Sequence, residues 1–312
     1  MQYQILLFYK YVHIDNPEAT RDWLRVLCQK LDLKGRLIVA TEGINITLEG
    51  TTENTEAFIK EMEKDERFLN IHMKRSEGTG NAFPRLSVKV RPEIVSLHLG
   101  TCDVDPNQTT GIHLKPAELH EWIKTGKEFY IVDMRNAYEH AIGQFKDSIC
   151  PPMDNFRDLP KFVKSLKHLK DKTVLTVCTG GVRCEKASGY LITQGFTDVY
   201  QLDGGIVSYM EQYPNEDFHG KLYVFDARVA MGFYTDDPKH VIVGKCESCG
   251  TQSENIVDCR SGACNGQFII CESCEKAQIE KKGITHCPKG CAGKVKSPFG
   301  KILNTLKSIF KK

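Results

Sequence analysis

The sequence predicts an α/β protein in three parts: an N-terminal ferredoxin-like α+β domain, a central parallel α/β domain and a C-terminal cysteine-rich module. Three observations carry that prediction. Apolar strands and amphipathic helices follow one another as βαββαβ over residues 1–95, the order of the split βαβ motif. Strands and helices then alternate singly over residues 113–215, the pattern of a parallel sheet. Eight of the 13 cysteines crowd between Cys246 and Cys291. Residues 96–112, with Gly100 and Pro106, read as a linker, 216–296 as the cysteine-rich module, and 297–312 as a basic amphipathic helix.

Composition narrows the class. A chain of 312 residues with 41% hydrophobic and 26% charged residues has material for several folded domains. No apolar run approaches the ~20 residues needed to span a bilayer. The opening MQYQILLFYKYVHIDNPEAT lacks the basic flank and small-residue cleavage site of a secretory signal, so the expected location is the cytoplasm, with reduced thiols.

In the first unit, Ile5–Tyr9 is an apolar strand. Asn16-Pro17 starts a helix carrying Trp23, Leu24, Leu27 and Leu31 on one face. Arg36–Ala40 is the second strand, Glu42-Gly43-Ile44-Asn45 a tight turn, and Ile46–Glu49 the returning strand. Thr52 or Asn54 caps a helix through Phe58 and Met62, Ile71–Lys74 is a further strand, and Phe83–Val90 is extended. Lys74, Arg75, Arg85, Lys89 and Arg91 read either as an edge strand protected by charge or as a phosphate-contacting surface.

In the second unit, Lys115-Pro116 opens a helix with Leu119 and Trp122, and Phe129–Val132 is a buried strand followed by Asp133-Met134-Arg135. Phe156–Leu169 reads as helical and Thr173–Val177 as an apolar strand, with Val199–Leu202 the last strand before Asp203-Gly204-Gly205.

The sharpest chemical signal is Cys178-Thr179-Gly180-Gly181-Val182-Arg183-Cys184, between a strand and a helix. Such a loop turns successive backbone N–H groups inward as an anion nest, and the helix N-terminus adds positive potential. With Arg183 nearby, both effects lower a thiol pKa and favour a nucleophilic thiolate at Cys178. Thr179, Gly180, Gly181 and Val182 form the anion loop. Four residues separate Cys178 from Arg183, one fewer than in cysteine phosphatases of similar topology, which suits a sulfur-sized anion. Cys184 reads as a small helix-start residue or as a resolving thiol. Arg135 either faces the same crevice or pairs with Glu139.

These residues resemble a rhodanese domain, through Asp133-Met134-Arg135, Tyr138-Glu139, Gly143, Phe145, the Cys178–Arg183 loop and Leu202-Asp203-Gly204-Gly205. The wider chain, over roughly residues 1–292, resembles the rhodanese-domain, oxygen-dependent tRNA uridine(34) hydroxylases. Its marks are Ala40-Thr41-Glu42-Gly43-Ile44-Asn45, the run Cys178–Ser188 and Val224-Phe225-Asp226-Ala227-Arg228-Val229. The family reads Gly-Ile-Asn-Gly-Thr where this chain has Ile46 in place of the second Gly, so a different local turn is expected. The resemblance implies oxidation of the tRNA wobble uridine to 5-hydroxyuridine with molecular oxygen as co-substrate, and no organic cofactor is evident. It leaves two roles for Cys178, addition to uracil C6 or carriage of an oxidised or persulfide sulfur. A plain sulfurtransferase forming a Cys178 persulfide is the alternative function.

In the third unit, Cys246-x-x-Cys249 and Cys271-x-x-Cys274 have zinc-knuckle spacing, and Cys259, Cys264, Cys287 and Cys291 complete eight thiolates. Eight soft ligands fit two structural Cys₄ zinc ions, paired sequentially or interleaved, with an iron–sulfur cluster as the rival. The tail places Phe299, Ile302, Leu303, Leu306, Ile309 and Phe310 at helical spacing, to pack internally or bind a partner. Residues 275–312 carry ten Lys and two acidic groups, a balance of +8, while the other 274 residues balance at −6. The net charge of +2 therefore excludes a uniformly basic protein but not an RNA binder with a local basic footprint.

Overall fold

The computed structural model of the chain describes residues 2–261, 264 and 266–288. The first unit runs β1 (Tyr3–Tyr11), α1 (Pro17–Lys30), β2 (Lys34–Ala40), β3 (Gly43–Thr51), α2 (Thr52–Met62), β4 (Lys74–Gly78) and β5 (Leu86–Val90). Its sheet has the order β4-β1-β3-β2-β5, with β3 antiparallel between β1 and β2 as the split βαβ motif requires. Strand alternation then sets two faces. Leu6, Phe8, Leu37, Val39, Ile46 and Leu48 point to the core beneath α1 and α2. Ile5, Leu7, Tyr9, Ile38, Asn45, Thr47 and Lys74 line a cavity on the other side.

Local chemistry moves several boundaries. Asn16 caps α1 as expected, its side chain accepting from the Ala19 N–H at 2.9 Å. The tight turn contracts to Thr41-Glu42, because Ala40 already pairs with Gly43. Ile46 consequently lies mid-strand in the core rather than in a turn. Thr51, at the end of β3, caps α2 in place of Thr52 or Asn54, accepting from the Asn54 N–H at 3.2 Å. Pairing with β1 begins only at Lys74, opposite Leu7, so Ile71 and Met73 pack on the core from a loop. Phe83 packs with Ile5 and Ala82 instead of extending β5, and Pro84 has no N–H to offer a ladder. The basic residues of this region are spread over opposite sheet edges, at β4 and beside or within β5, yet Lys74, Arg75 and Arg91 line one cavity.

The central unit runs β6 (Ile112–Leu114), α3 (Pro116–Thr125), β7 (Tyr130–Asp133), α4 (Ala137–His140), β8 (Gly143–Phe145), α5 (Leu159–Val163), β9 (Thr173–Val177), α6 (Val182–Thr193), β10 (Asp198–Leu202) and α7 (Gly205–Gln212). Its parallel sheet has the order β6-β10-β9-β7. The helix expected over 156–169 is broken into 3₁₀ turns (156–158 and 164–169) flanking α5. Buried Val163, Leu166 and Leu169 recur every third residue, the period of a 3₁₀ helix. The segment 96–112 is not a free linker: Leu97 and Val104 are buried, and the Leu97 N–H donates to the Glu93 carboxylate at 2.7 Å.

Beyond it, β11 (Phe218–Gly220) pairs with β8, and β12 (Leu222–Tyr223) pairs with β13 (Ala230–Met231). Residues 218–231 thus pack on the central unit, short of the first clustered cysteine. The cysteine module contains β14 (Ile256–Asp258) paired with β15 (Gln267–Ile269), followed by α8 (Glu272–Lys282). Cys291 and the basic amphipathic helix expected over 297–312 lie outside the described residues. No described helix is long and apolar enough to cross a membrane.

Candidate active site

Cys178 leaves the end of β9 at the floor of a cavity of about 500 Å³. Gly181, at φ +103°, turns the chain into α6 and donates its N–H to Cys178 Sγ at 3.2 Å. The first turn of α7 holds the loop from behind, since the N–H groups of Ile206 and Val207 donate to the carbonyls of Cys178 and Thr179. A Cβ on Gly205, itself at φ +72°, would meet Gly181 N and Thr179 O at 2.7 Å. Only glycine lets α7 approach this closely, which explains the second Gly of Leu202-Asp203-Gly204-Gly205.

Cys178 is fully buried, and burial pushes its thiol pKa up. A hydrogen bond from the Cys184 thiol, the Arg183 charge and the N–H groups of Cys184 and Gly181 outweigh that, holding it at about 6. Cys184 is itself buried in α6, its own pKa driven well up by burial and by the neighbouring Cys178. It therefore sits beside Cys178 as a protonated donor.

Two arginines differ from expectation. Arg183 is bound edge-on to Glu139, at 2.5 and 2.8 Å, with a third hydrogen bond of 3.1 Å to Thr179 Oγ1. Its charge is largely compensated, so it braces the loop more than it offers a free anion site. Arg135 is fully buried away from the cavity, paired with Asp133 at 2.6 Å and donating to the Gly143 carbonyl at 2.7 Å. It neither faces the crevice nor pairs with the Glu139 carboxylate, because Glu139 is already committed to Arg183. Thr179, Gly180 and Val182 do line the cavity with Cys178 and Arg183.

The cavity roof is the open face of the first sheet. Leu7 covers Gly180, and Tyr9 covers Gly181 so closely that a Cβ there would meet its Oη at 2.8 Å. Tyr9 Oη donates to Glu185 at 3.0 Å and Tyr11 Oη to the Val182 carbonyl at 3.2 Å, both on α6. Fully buried Lys186, next on α6, is bound by Glu42 of the β2–β3 turn and by Glu93 and Asp103 of the connecting segment, at 2.7–3.1 Å. Val224, Phe225, Asp226 and Arg228, between β12 and β13, close one side. Arg36, Arg91 and Arg157 stand exposed around the cavity, and no described carboxylate pairs with them.

Sequence reading missed the roof. The available signal was β1 itself, whose alternate residues are apolar on both faces, as in a strand covered on both sides.

Three family models match the chain: a UPF0176 acylphosphatase-like domain over residues 3–94, a rhodanese-like domain over 115–212 and a rhodanese C-terminal region over 219–292. The tRNA uridine(34) hydroxylase of Cytophaga hutchinsonii is 45% identical over 277 residues, covering 88% of this chain and 87% of that protein. The chain belongs to the tRNA uridine(34) hydroxylase family. The member from Bacillus licheniformis is 43% identical over 288 residues, 91% of this chain and 88% of its own. The member from Staphylococcus carnosus is 41% identical over 295 residues, 94% and 90% respectively.

This family member also brings its clustered cysteines together. Cys246, Cys249, Cys271 and Cys274 have all four Sγ atoms within 4.8 Å of one another, as do Cys259, Cys264 and Cys287. The pairing among the described residues is interleaved: the Cys246/Cys249 pair joins the Cys271/Cys274 pair, while Cys259 and Cys264 join Cys287. Sγ separations of 3.6 Å (Cys249–Cys271) and 3.8 Å (Cys264–Cys287) match the edge of a tetrahedron with metal–sulfur bonds of about 2.3 Å. The residues fit a thiolate-bound metal.

Proposed function

We propose that this protein hydroxylates C5 of the wobble uridine of tRNA, with molecular oxygen supplying the oxygen atom. Family membership supports the reaction, and the observation that carries the site is the shared cavity. A thiolate-forming cysteine on the floor faces a sheet face that is largely apolar but carries Asn45, Thr47, Arg36 and Lys74, across a space sized for one nucleoside. An anticodon-loop base is single-stranded, so turning it into such a pocket costs little unstacking energy. Exposed Arg36, Arg91 and Arg157 suit contact with flanking phosphates. Cys178 adds to uracil C6 and thereby makes C5 electron-rich. Arg183, Thr179 and the glycines position it, and Cys184 supplies a hydrogen bond to its sulfur. One oxygen atom ends on C5, and the other leaves as water with two protons and two electrons from a reductant.

The test is nucleoside analysis of tRNA from a deletion strain carrying either the unaltered gene or Cys178→Ala. Loss of 5-hydroxyuridine-derived nucleosides, restored only by the unaltered gene, is expected. Unchanged nucleosides in the deletion strain, or restoration by Cys178→Ala, would sink the proposal. The rhodanese-like match favours a second reading, a sulfurtransferase charging Cys178 with sulfane sulfur. Against it stands the roof, which a small sulfur donor does not need.

Two structural zinc ions are the proposed metals, one in each thiolate set, with Cys291 as the fourth ligand of the second. Four thiolates leave no open coordination position, so the metal would supply fold stability. Two zinc per chain by metal analysis is the expected result. Reduced thiols of this kind suit a cytoplasmic location.

A further inference from the structure

Lys74 is the one cavity cation, among the described residues, that is both buried and without a carboxylate in ion-pair contact. It opens β4 opposite Leu7, on the roof, and is only 9% exposed. No described carboxylate is paired with its ammonium, which lies 5.5 Å from the centroid of the Tyr9 ring. The other lining cations differ in kind. Arg183 is paired with Glu139, Arg228 with Asp226 and Arg75 with Glu56, while Arg36, Arg91 and Arg157 are exposed. Exposed arginines suit phosphates, which stay in solvent. A desolvated ammonium with no carboxylate in ion-pair contact, attracted only at longer range by the Cys178 thiolate, Asp203 and Glu185, suits negative charge that arrives with the base itself. Burial lowers its pKa to about 8, which keeps most of it charged at neutral pH.

We propose that Lys74 is a catalytic residue whose ammonium holds the pyrimidine O4 as negative charge develops there. This rests on the reading above that Cys178 adds to C6. In that step a sulfur lone pair forms the S–C6 bond, the C5=C6 π pair becomes a C4=C5 bond, and the C4=O π pair comes to rest on O4. One negative charge passes from sulfur to oxygen, with no oxidant or reductant consumed. A ring between floor and roof presents C6 to Cys178 and a carbonyl oxygen to Lys74. Preorganised charge at a developing oxyanion acts on the transition state, so its removal lowers kcat rather than raising KM.

The experiment uses the full-length protein and tRNA tritiated at C5 of the wobble uridine, under argon. The enolate takes a proton from water at C5, and loss of tritium from that carbon with expulsion of the Cys178 sulfur restores the ring and releases tritium to water, with no oxygen consumed. The unaltered protein should release tritium, and Lys74→Met should slow release on the order of 100- to 1,000-fold. Lys74→Arg should recover part of the rate, and KM for tRNA should stay within about twofold. The melting temperature of Lys74→Met should be unchanged or raised, because an unpaired buried charge is gone. Release by Lys74→Met at the unaltered rate overturns the assignment, as does a raised KM with intact kcat, which would make Lys74 a phosphate contact. If the unaltered protein hydroxylates tRNA yet releases no tritium, the adduct falls and the role of Lys74 with it. If it leaves the wobble uridine untouched, the functional reading itself fails.

Discussion

At the scale of residues, the state of Cys178 is a contest between burial and hydrogen bonding. Burial favours the neutral thiol; Cys184, the Arg183 charge and two backbone N–H groups favour the thiolate, and they prevail, holding the pKa at about 6. The ordinary thiol value lies higher, so the shift is downward and the thiolate persists at neutral pH. Hydroxylation measured as kcat/KM should fall below about pH 6 as the Cys178 thiolate is protonated and above about pH 8 as the Lys74 ammonium loses its proton. An acid limb centred near pH 9 would show that the loop does not activate the thiol. Beneath the loop, Glu139 and Arg183 form a buried pair. Glu139→Ala leaves the guanidinium buried without a partner and should cost about 3–5 kcal/mol in denaturant unfolding. The apolar double variant Glu139→Leu with Arg183→Met should regain most of that stability while activity stays low, because the loop brace is lost.

At the scale of elements, the reactive loop is shaped by what packs on it. α7 presses Gly205 onto the loop backbone, and β1 lays Leu7 and Tyr9 over Gly180 and Gly181. Gly205→Ala forces a Cβ into backbone atoms and a side chain onto φ +72°, a conformation costing about 1–3 kcal/mol in its own right. The expected outcome is a large fall in kcat with a smaller fall in melting temperature, read from initial rates and thermal unfolding. Wild-type kcat in Gly205→Ala would mean that the loop position does not depend on α7. The cysteine module gives an element-scale test of its pairing. Cys246→Ser and Cys271→Ser should each lose one zinc, and the double variant no more than one. Combining Cys246→Ser with Cys259→Ser should lose both, as metal analysis can count.

At the scale of the whole molecule, the site exists only because two units are clamped together at α6. Lys186 gathers three carboxylates from the β2–β3 turn and the connecting segment. Lys186→Met leaves Glu42, Glu93 and Asp103 facing one another without a cation. The melting temperature should drop at neutral pH and partly recover toward pH 5, as protonation relieves the repulsion. Limited proteolysis should then cut within 96–112, a segment protected in the unaltered protein by buried Leu97 and Val104. Unchanged protease resistance would show that the apolar contacts alone hold the units together.

Local signals settled much of this at the level of sequence. The βαββαβ order, the Asn16 cap, the strand–loop–helix around Cys178 and the two Cys-x-x-Cys pairs all depend on neighbours a few residues apart. Their physics is carried by adjacent side chains and backbone, so they are legible in a linear string. The roof of the cavity, the diversion of Arg183 onto Glu139, the burial of Arg135 against Asp133 and the burial of Lys74 without an ion-pair partner are not. Each depends on groups from separate segments meeting across a packed interface: Lys74 and Cys178 are far apart in the chain but line one cavity. The same holds for the cysteines, where spacing supplied the ligands and only the fold chose which pairs share a site. Sequence determined the reactive thiol and its family; tertiary structure decided what surrounds it, because charge and solvation are set by whatever the fold brings near.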